Sequence, residues 1–195
     1  CSDIFVILDN VNFINKGFIH KNYFIDTKTK EKKIFNISIE KKSQNKLIKD
    51  LKLIDFKKSL QKIELNYKKN EFYENIQNTF LQKKILNKNY KLVIDLLETS
   101  IRELCILLEI KTKIVKASSL KENDFYGQEK IADYVIQLDG REYVNFLGGS
   151  HLYDKSFFEK KKIKLRFLES KLKDISQVSI FDILAKYSIA DIKKN

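Results

Sequence analysis

The chain opens on a continuous apolar run, Ile4 to Leu8, which stops at Asp9. An apolar run without alternation describes a strand buried on both faces. Residues 21–26 and 33–39 flank a polar turn, Thr27 to Lys32, and in the second run Phe35, Ile37 and Ile39 alternate with Asn36 and Ser38. Period-two patterning on either side of a turn predicts a β-hairpin. A further short strand is expected around Asp50 to Ile54.

The middle of the chain changes period. Phe56, Leu60, Ile63 and Tyr67 fall at helical spacing, and Phe72, Ile76 and Phe80 continue it on a second helix. Residues 90–109 carry the clearest stripe, Val93, Leu97, Ile101, Leu104 and Leu108, which predicts a helix with one apolar face. Beyond it strand and helix alternate: strand 112–116, helix 127–138 ending near Gly140, strand 142–146, helix 155–161, strand 163–168. Such alternation predicts crossover connections and a parallel stretch of sheet. Ser179-Ile-Phe-Asp182 and Ser188-Ile-Ala-Asp191 each have the Ser-x-x-acid spacing of a helix N-cap. The pattern predicts a single α/β domain with a mixed sheet: a β-hairpin region first, helices in the centre and an alternating β/α part at the end.

Composition supports a packed domain. Of 195 residues 43% are hydrophobic and 33% charged, enough for a core and unlike a disordered chain. No repeat, Ser/Gly-rich linker or low-complexity block divides the chain. The run Ile4–Leu8 is far too short to span a bilayer, and no basic-then-apolar leader opens the sequence. Two cysteines, Cys1 and Cys105, cannot make a disulfide scaffold, which predicts a reduced, cytoplasmic setting. Cys105 lies beside the 90–109 stripe and reads as a small buried hydrophobe, with no activating residue evident nearby. The chain has no Met and opens on Cys1-Ser2-Asp3 just before a core-like strand, so its beginning is expected to be processed or missing. It also has no Pro, where average usage would give about ten.

The formal charge is +12, which ordinarily points to nucleic acid or an anionic membrane. The identity of the bases weakens that reading. Of 38 basic residues only Arg102, Arg141 and Arg166 are arginine, and bidentate readers of phosphate and bases use the guanidinium fork. Abundant Lys, Ile, Asn, Phe and Tyr with scarce Pro, Ala, Arg and Gly is what AT-rich codon usage produces.

Three segments can carry chemistry. Asp9-Asn10-Val11-Asn12 follows the first strand directly, at the strand end where ligands sit in open α/β sheets. A carboxylate with neighbouring amides there can hold a metal, a sugar hydroxyl or an amine, or simply close the strand as an Asx turn. The second acid of an Asp-x-Asp is lacking, so no metal is expected. In Lys16-Gly17-Phe18-Ile19-His20-Lys21-Asn22, Lys16 and Lys21 can clamp an anion such as a diphosphate; the alternative is a solvated lysine loop. His20 is one of two histidines, a residue type that can serve as a base near neutral pH, yet no Ser-His-acid arrangement accompanies it. In Phe146 to Asp154, Gly148 and Gly149 stand side by side in a chain with five glycines. Their pairing predicts either a turn with positive φ or close approach of backbone to a ligand. Tyr153 and Asp154 can bind or act on substrate, or serve as a buried Tyr and a helix-capping Asp. Neither a dinucleotide fingerprint nor a P-loop is present, and the cofactor is left open.

Taken in order, "SDIFVILDNVNFINKGFIHKNYF", "IELNYKKNEFY", "GQEKIADYVIQLDGREYVNFLGGSHLYDKSFFEKKKIKLRFL" and "VSIFDILAKYS" resemble the WbqC-like family of bacterial polysaccharide gene clusters, across essentially the whole chain. The resemblance implies a part in O-antigen and related surface-polysaccharide assembly, with a glycine-transferase role suggested for members. Asp9 and Asn10 stand where the family has two acids, and Asn12 where it tends to have Gln. Lys16 and Lys21 fall at basic positions and Asn22 at a shared Asn. Gly148, Gly149, Tyr153 and Asp154 match a Gly-Gly…Leu-Tyr-Asp block, and Ser179 and Asp182 a late Ser-Ile-x-Asp block. His20 occupies a position usually held by Asn, and family prolines near Ser38, near Glu71 and before Val178 are absent. The family begins with a further strand and a Gln-Pro-Tyr…Phe-Pro…Gly-Tyr segment, so the resemblance implies an N-terminally truncated copy.

The expected function is therefore modification of an amino sugar by transfer of an amino-acid or acyl group onto a nucleotide- or lipid-linked sugar. Asp9 would be base or amine anchor, the Gly148–Gly149 backbone an oxyanion or phosphate cradle, and Lys16 and Lys21 phosphate partners. Tyr153 and Asp154 would orient the sugar. Two rivals stand beside it: a non-catalytic scaffold subunit of a polysaccharide assembly system, and an RNA-binding module. The last ranks lowest, because neither aromatic platforms nor arginine clusters stand out.

Overall fold

Residues 2–40, 45–81, 85–86, 88–169 and 178–194 are described by the computed structural model; Cys1 lies outside them. In chain order β1 (Ile4–Ile7) leads to a hairpin of β2 (Lys21–Ile25) and β3 (Lys32–Asn36), then to β4 (Ser38–Ile39) and β5 (Leu53–Asp55). The helices α1 (Lys57–Tyr67) and α2 (Tyr73–Ile76) follow, α2 running on as a π-helical turn, Gln77–Leu81. After α3 (Val93–Leu107) come β6 (Lys113–Lys116), α4 (Gly127–Gln137), β7 (Glu142–Phe146), α5 (Lys155–Lys160) and β8 (Lys164–Leu168). The last helices are α6 (Ile180–Lys186) and α7 (Ile189–Lys194). The α/β class read from the sequence holds.

Among the described residues the strands pair two by two rather than in one continuous mixed sheet. β1 lies parallel to β6 and β7 parallel to β8, while β2–β3 and β4–β5 are antiparallel. The parallel pair β7–β8 is joined through α5, the crossover that the alternating pattern predicts. The hairpin turn is closed by Asp26, whose Oδ1 accepts the amides of Lys28 (2.9 Å) and Thr29 (3.0 Å). Lys33 donates to Asp26 at 2.6 Å, and this contact comes first among those that hold the Asp26 carboxyl well below the usual carboxylate range.

Departures from the sequence reading have local causes. The run 33–39 splits at Ile37, whose N–H bonds the His20 carbonyl at 2.9 Å, leaving β4 to turn away and pair with β5. The strand expected at Asp50–Ile54 is shifted: Ile48–Asp50 forms a 3-10 turn and β5 begins at Leu53. Helix α3 starts at Val93 rather than residue 90, because the Lys91 carbonyl accepts the Leu53 amide (2.9 Å) and Leu92 bridges to Lys52.

Two apolar clusters share a boundary. Phe24, Leu60, Ile63, Tyr67, Ile76, Phe80, Phe181 and Leu184 pack α1, α2 and α6 against the hairpin. Phe13, Ile48, Leu51, Val93 and Ile94 form the second cluster, and Ile37 and Leu53 touch both. Helix α3 spans them: Leu96 and Leu104 face the first, Val93 and Leu97 the second. A third cluster, Ala132, Phe158 and Ile163 with Tyr143 and Tyr153 packed on it, knits α4 and α5 to β7–β8. Ser179 caps α6 as its spacing predicts, accepting the Phe181 amide at 3.3 Å. Among the described residues no helix is long and apolar enough to cross a membrane.

Candidate functional site

Asp9 lies two residues beyond the end of β1 and is 1% exposed. Its Oδ1 accepts the Ser118 amide at 2.8 Å and its Oδ2 the Ser118 hydroxyl at 2.5 Å. Ser118 lies in the 3-10 turn that follows β6, so one side chain ties together the carboxyl ends of the parallel β1–β6 pair. The Asp9 carbonyl also accepts Lys49 N–H at 2.7 Å. Ser118 itself is exposed.

Asn10 points instead to α4, where its amide exchanges hydrogen bonds with the Tyr134 hydroxyl at 2.8 and 3.1 Å. Asn12 and Lys16 are exposed. Asn22 makes a local bond, its Oδ1 accepting the Tyr23 amide at 2.8 Å. Lys21 opens β2 opposite Asn36 and lines an open hollow of about 520 Å³ with Asn15, His20, Asn36 and Ser38. That volume is in the range of small-ligand sites. His20 is 4% exposed and packs edge-on to Phe13. Asn15 lines the hollow, while its Oδ1 is itself buried and accepts no hydrogen bond.

The paired glycines sit in a 3-10 turn, Leu147–Leu152, after β7. Neither has positive φ; among glycines only Gly127 does, which removes one of the two reasons their pairing predicts. Close packing against protein does not require Gly148 either, since a Cβ there would meet nothing within 4 Å. The space beside its backbone is open.

Next to the glycines three polar groups converge. Tyr143 and Tyr153 hydroxyls lie 3.0 Å apart, and Asn145 Nδ2 donates to both, at 3.1 and 3.2 Å. The Phe146 amide bonds Asn145 Oδ1 at 2.8 Å, which fixes the orientation of the side-chain amide. One tyrosine donates to the other; the second O–H has no acceptor within the triad. Burial first, then the Tyr153 hydroxyl, pushes the Tyr143 phenol above its ordinary value, so it stays a donor. Asp154 caps α5, accepting Ser156 N–H at 2.9 Å and the Ser156 hydroxyl at 3.0 Å. The Ser156 hydroxyl, with backbone amides, holds its carboxyl below the usual range.

The predicted residues thus gather in two places, one at β1, the following loop and the hairpin, the other at the end of β7. Helix α4 connects them, through Asn10 to Tyr134 and through Gln128 Oε1 to the Asp154 amide (2.8 Å). The Asp9 carboxylate meets Ser118 rather than the glycine segment. Sequence reasoning missed Ser118, Asn15, Asn36, Tyr143 and Asn145. For the last two a signal existed: they alternate on the strand leading into the paired glycines. The others depend on strand register. Among the described residues no group of three or more His, Cys, Asp or Glu side chains could hold a metal ion.

No curated protein and no solved structure matches the chain. Residues 1–194 match the WbqC-like protein family, and the chain belongs to that family.

Proposed function

We propose that the protein is a cytoplasmic transferase of surface-polysaccharide assembly that passes an aminoacyl group, glycyl foremost, or another acyl group onto the amine of a nucleotide- or lipid-linked sugar. The observation that carries this reading is the hollow at Lys21, where Lys21, Asn15, Asn36 and Ser38 line one space of small-ligand size together with Ile34, Ile37 and Ile39. A sugar diphosphate offers the matching set: negative charge for Lys21, with Lys16 on the preceding loop, and hydroxyls for the amides. The chain belongs to the WbqC-like family, and the polysaccharide setting is what the resemblance to that family implies.

Acyl transfer to an amine needs a base for the amine proton and donors for the tetrahedral oxyanion. Asp9 serves as base through Ser118: the exposed hydroxyl takes the amine proton as its own passes to the carboxylate at 2.5 Å. The amine nitrogen bonds the acyl carbon of an ester- or thioester-activated donor, and collapse of the tetrahedral intermediate breaks the donor's ester or thioester bond, its oxygen or sulfur leaving with that proton. The spare O–H of the Tyr143–Tyr153 pair, in the same stretch as the open backbone of Gly148, is the donor offered to the oxyanion or to the sugar. Asp154 acts on orientation, by holding the start of α5.

The test is a thermal-shift titration with nucleotide-linked amino sugars at low and high salt, followed by mass spectrometry after addition of glycyl and acyl donors. Stabilisation that survives salt, with a glycyl or acyl mass increment on the sugar, is the expected result. Sugar binding with no product from any donor would overturn the enzyme reading in favour of a scaffold.

A further inference from the structure

The outward face of the hairpin extends the hollow into an aromatic shelf. Residues directly opposite in an antiparallel pair share a face, so the register Lys21–Asn36, Tyr23–Ile34 and Ile25–Lys32 puts these six on one side. The other side carries Phe24 and Phe35 into the core. Ile34 belongs to both features: it lines the hollow and stands opposite Tyr23. Phe18, 63% exposed, stands edge-on to Tyr23 with ring centroids 6.0 Å apart. Lys32 Nζ lies 4.3 Å from the centre of the Tyr23 ring.

A large exposed aromatic ring beside ammonium groups and a polar hollow suits a planar base joined to phosphates, because base stacking tolerates any base while the cations take the charge. A lipid-linked diphosphate would instead need a long apolar trough for its chain. Here the apolar residues, Phe18 and Ile34 on the shelf and Ile37 and Ile39 in the hollow, are interrupted by Lys21, Asn36 and Ser38 and bordered by Lys32.

We propose that Phe18, Tyr23 and Lys21 form a nucleoside-diphosphate subsite, with the base against Phe18, the diphosphate at Lys21 and the attached sugar toward Asn15, Asn36 and Ser38. The proposal rests on the reading of the hollow as the sugar site and selects nucleotide-linked over lipid-linked sugars.

Isothermal titration of the protein with uridine and guanosine diphosphates, inorganic pyrophosphate and farnesyl diphosphate tests it. Nucleoside diphosphates are expected to bind about tenfold tighter than pyrophosphate. Phe18→Ala, at an exposed position, is expected to remove that advantage and leave pyrophosphate binding unchanged, while Lys21→Ala weakens every ligand. Farnesyl diphosphate binding as tightly as the nucleotides, or nucleotide affinity indifferent to Phe18→Ala, would overturn the subsite. Oligouridylate binding that tightens with length and falls steeply with salt would replace it by an RNA surface. The two proposals fail separately. Nucleotide binding without transfer would sink the transferase and leave the subsite; transfer to a lipid-linked sugar without nucleotide binding would do the reverse.

Discussion

Ser118 gives both its backbone N–H and its hydroxyl to the Asp9 carboxylate, at 2.8 and 2.5 Å. The contact joins the ends of two parallel strands and also hands a buried carboxylate to an exposed hydroxyl. Structure and chemistry predict different outcomes for two substitutions. Asp9→Ala removes both acceptors, and hydrogen bonds to a charged group are worth about 1.5–3 kcal/mol; urea denaturation should register a loss of that order. Asp9→Asn keeps an acceptor for the amide and, with the hydroxyl turned, can donate to it, so the loss should stay near 1 kcal/mol. If Asp9 is the base, Asp9→Asn abolishes transfer while remaining folded. Transfer undiminished in Asp9→Asn would reduce the residue to a strand clamp.

Asp182 gives a pH signature. It is 2% exposed, accepts the Ile25 amide at 3.2 and 3.3 Å and faces the Tyr67 hydroxyl. Burial pushes its carboxyl above the ordinary 3.8, against the pull of the nearby Tyr67 hydroxyl, the Ile25 amide and the charge of Lys186. A folded-state value above the unfolded one means that the folded protein binds more protons in that range. This contribution to stability is full below 3.8 and is lost as pH rises through the folded value. Asp182→Asn keeps an acceptor for Ile25 and does not titrate. The stability of the native protein relative to Asp182→Asn should therefore fall as pH rises from 3.8 toward neutrality. Urea midpoints of both proteins at a series of pH values measure it, and a constant difference would contradict the burial argument.

How much of this was legible beforehand depends on the range of the interaction. The Ser179 cap is a contact within one turn, and four-residue spacing suffices to read it. The alternation from β6 to β8 is legible because each element buries a face with its own period. Residues 90–92 were misread as helix because they continue an apolar pattern, while their backbone groups are taken by Leu53 and Lys52 from another part of the chain. The pairing of Phe18 with Tyr23 escaped for the same reason: it follows from a turn at Gly17, whose N–H bonds the Ile14 carbonyl at 3.0 Å, and from strand register. Lys16 and Lys21, by contrast, were equally legible as candidate anion partners, and only the place of Lys21 beside Asn36 and the hollow separates the two.

The Tyr143–Asn145–Tyr153 triad predicts coupling. Tyr143→Phe or Tyr153→Phe each removes a shared hydroxyl contact and leaves Asn145 with one acceptor fewer, a cost near 1 kcal/mol. Because the two hydroxyls bond each other at 3.0 Å, the double variant loses that bond only once. A double-mutant cycle by urea denaturation should give a coupling energy of about 0.5 kcal/mol or more. Strict additivity would mean that the hydroxyls contribute independently.

Gly148 and Gly140 should part company when replaced by alanine. At Gly140 a Cβ would lie 2.9 Å from Val135 Cγ1 and 3.1 Å from the Val135 carbonyl oxygen. The glycine amide already bonds that carbonyl at 2.8 Å, so the α4 terminus must give way, and Gly140→Ala should lower the melting temperature. At Gly148 a Cβ meets nothing, and removing unfolded-state freedom at a compatible site stabilises a protein by about 0.4–1 kcal/mol. Gly148→Ala should therefore melt no lower than the native protein. If the bare backbone there admits a ligand, the same methyl must obstruct it. Transfer or sugar binding should then fall in a protein that has lost no stability, a combination that packing alone cannot produce. A Gly148→Ala protein with native melting temperature and undiminished transfer would remove the glycine segment from the site and leave the hollow at Lys21 to account for binding alone.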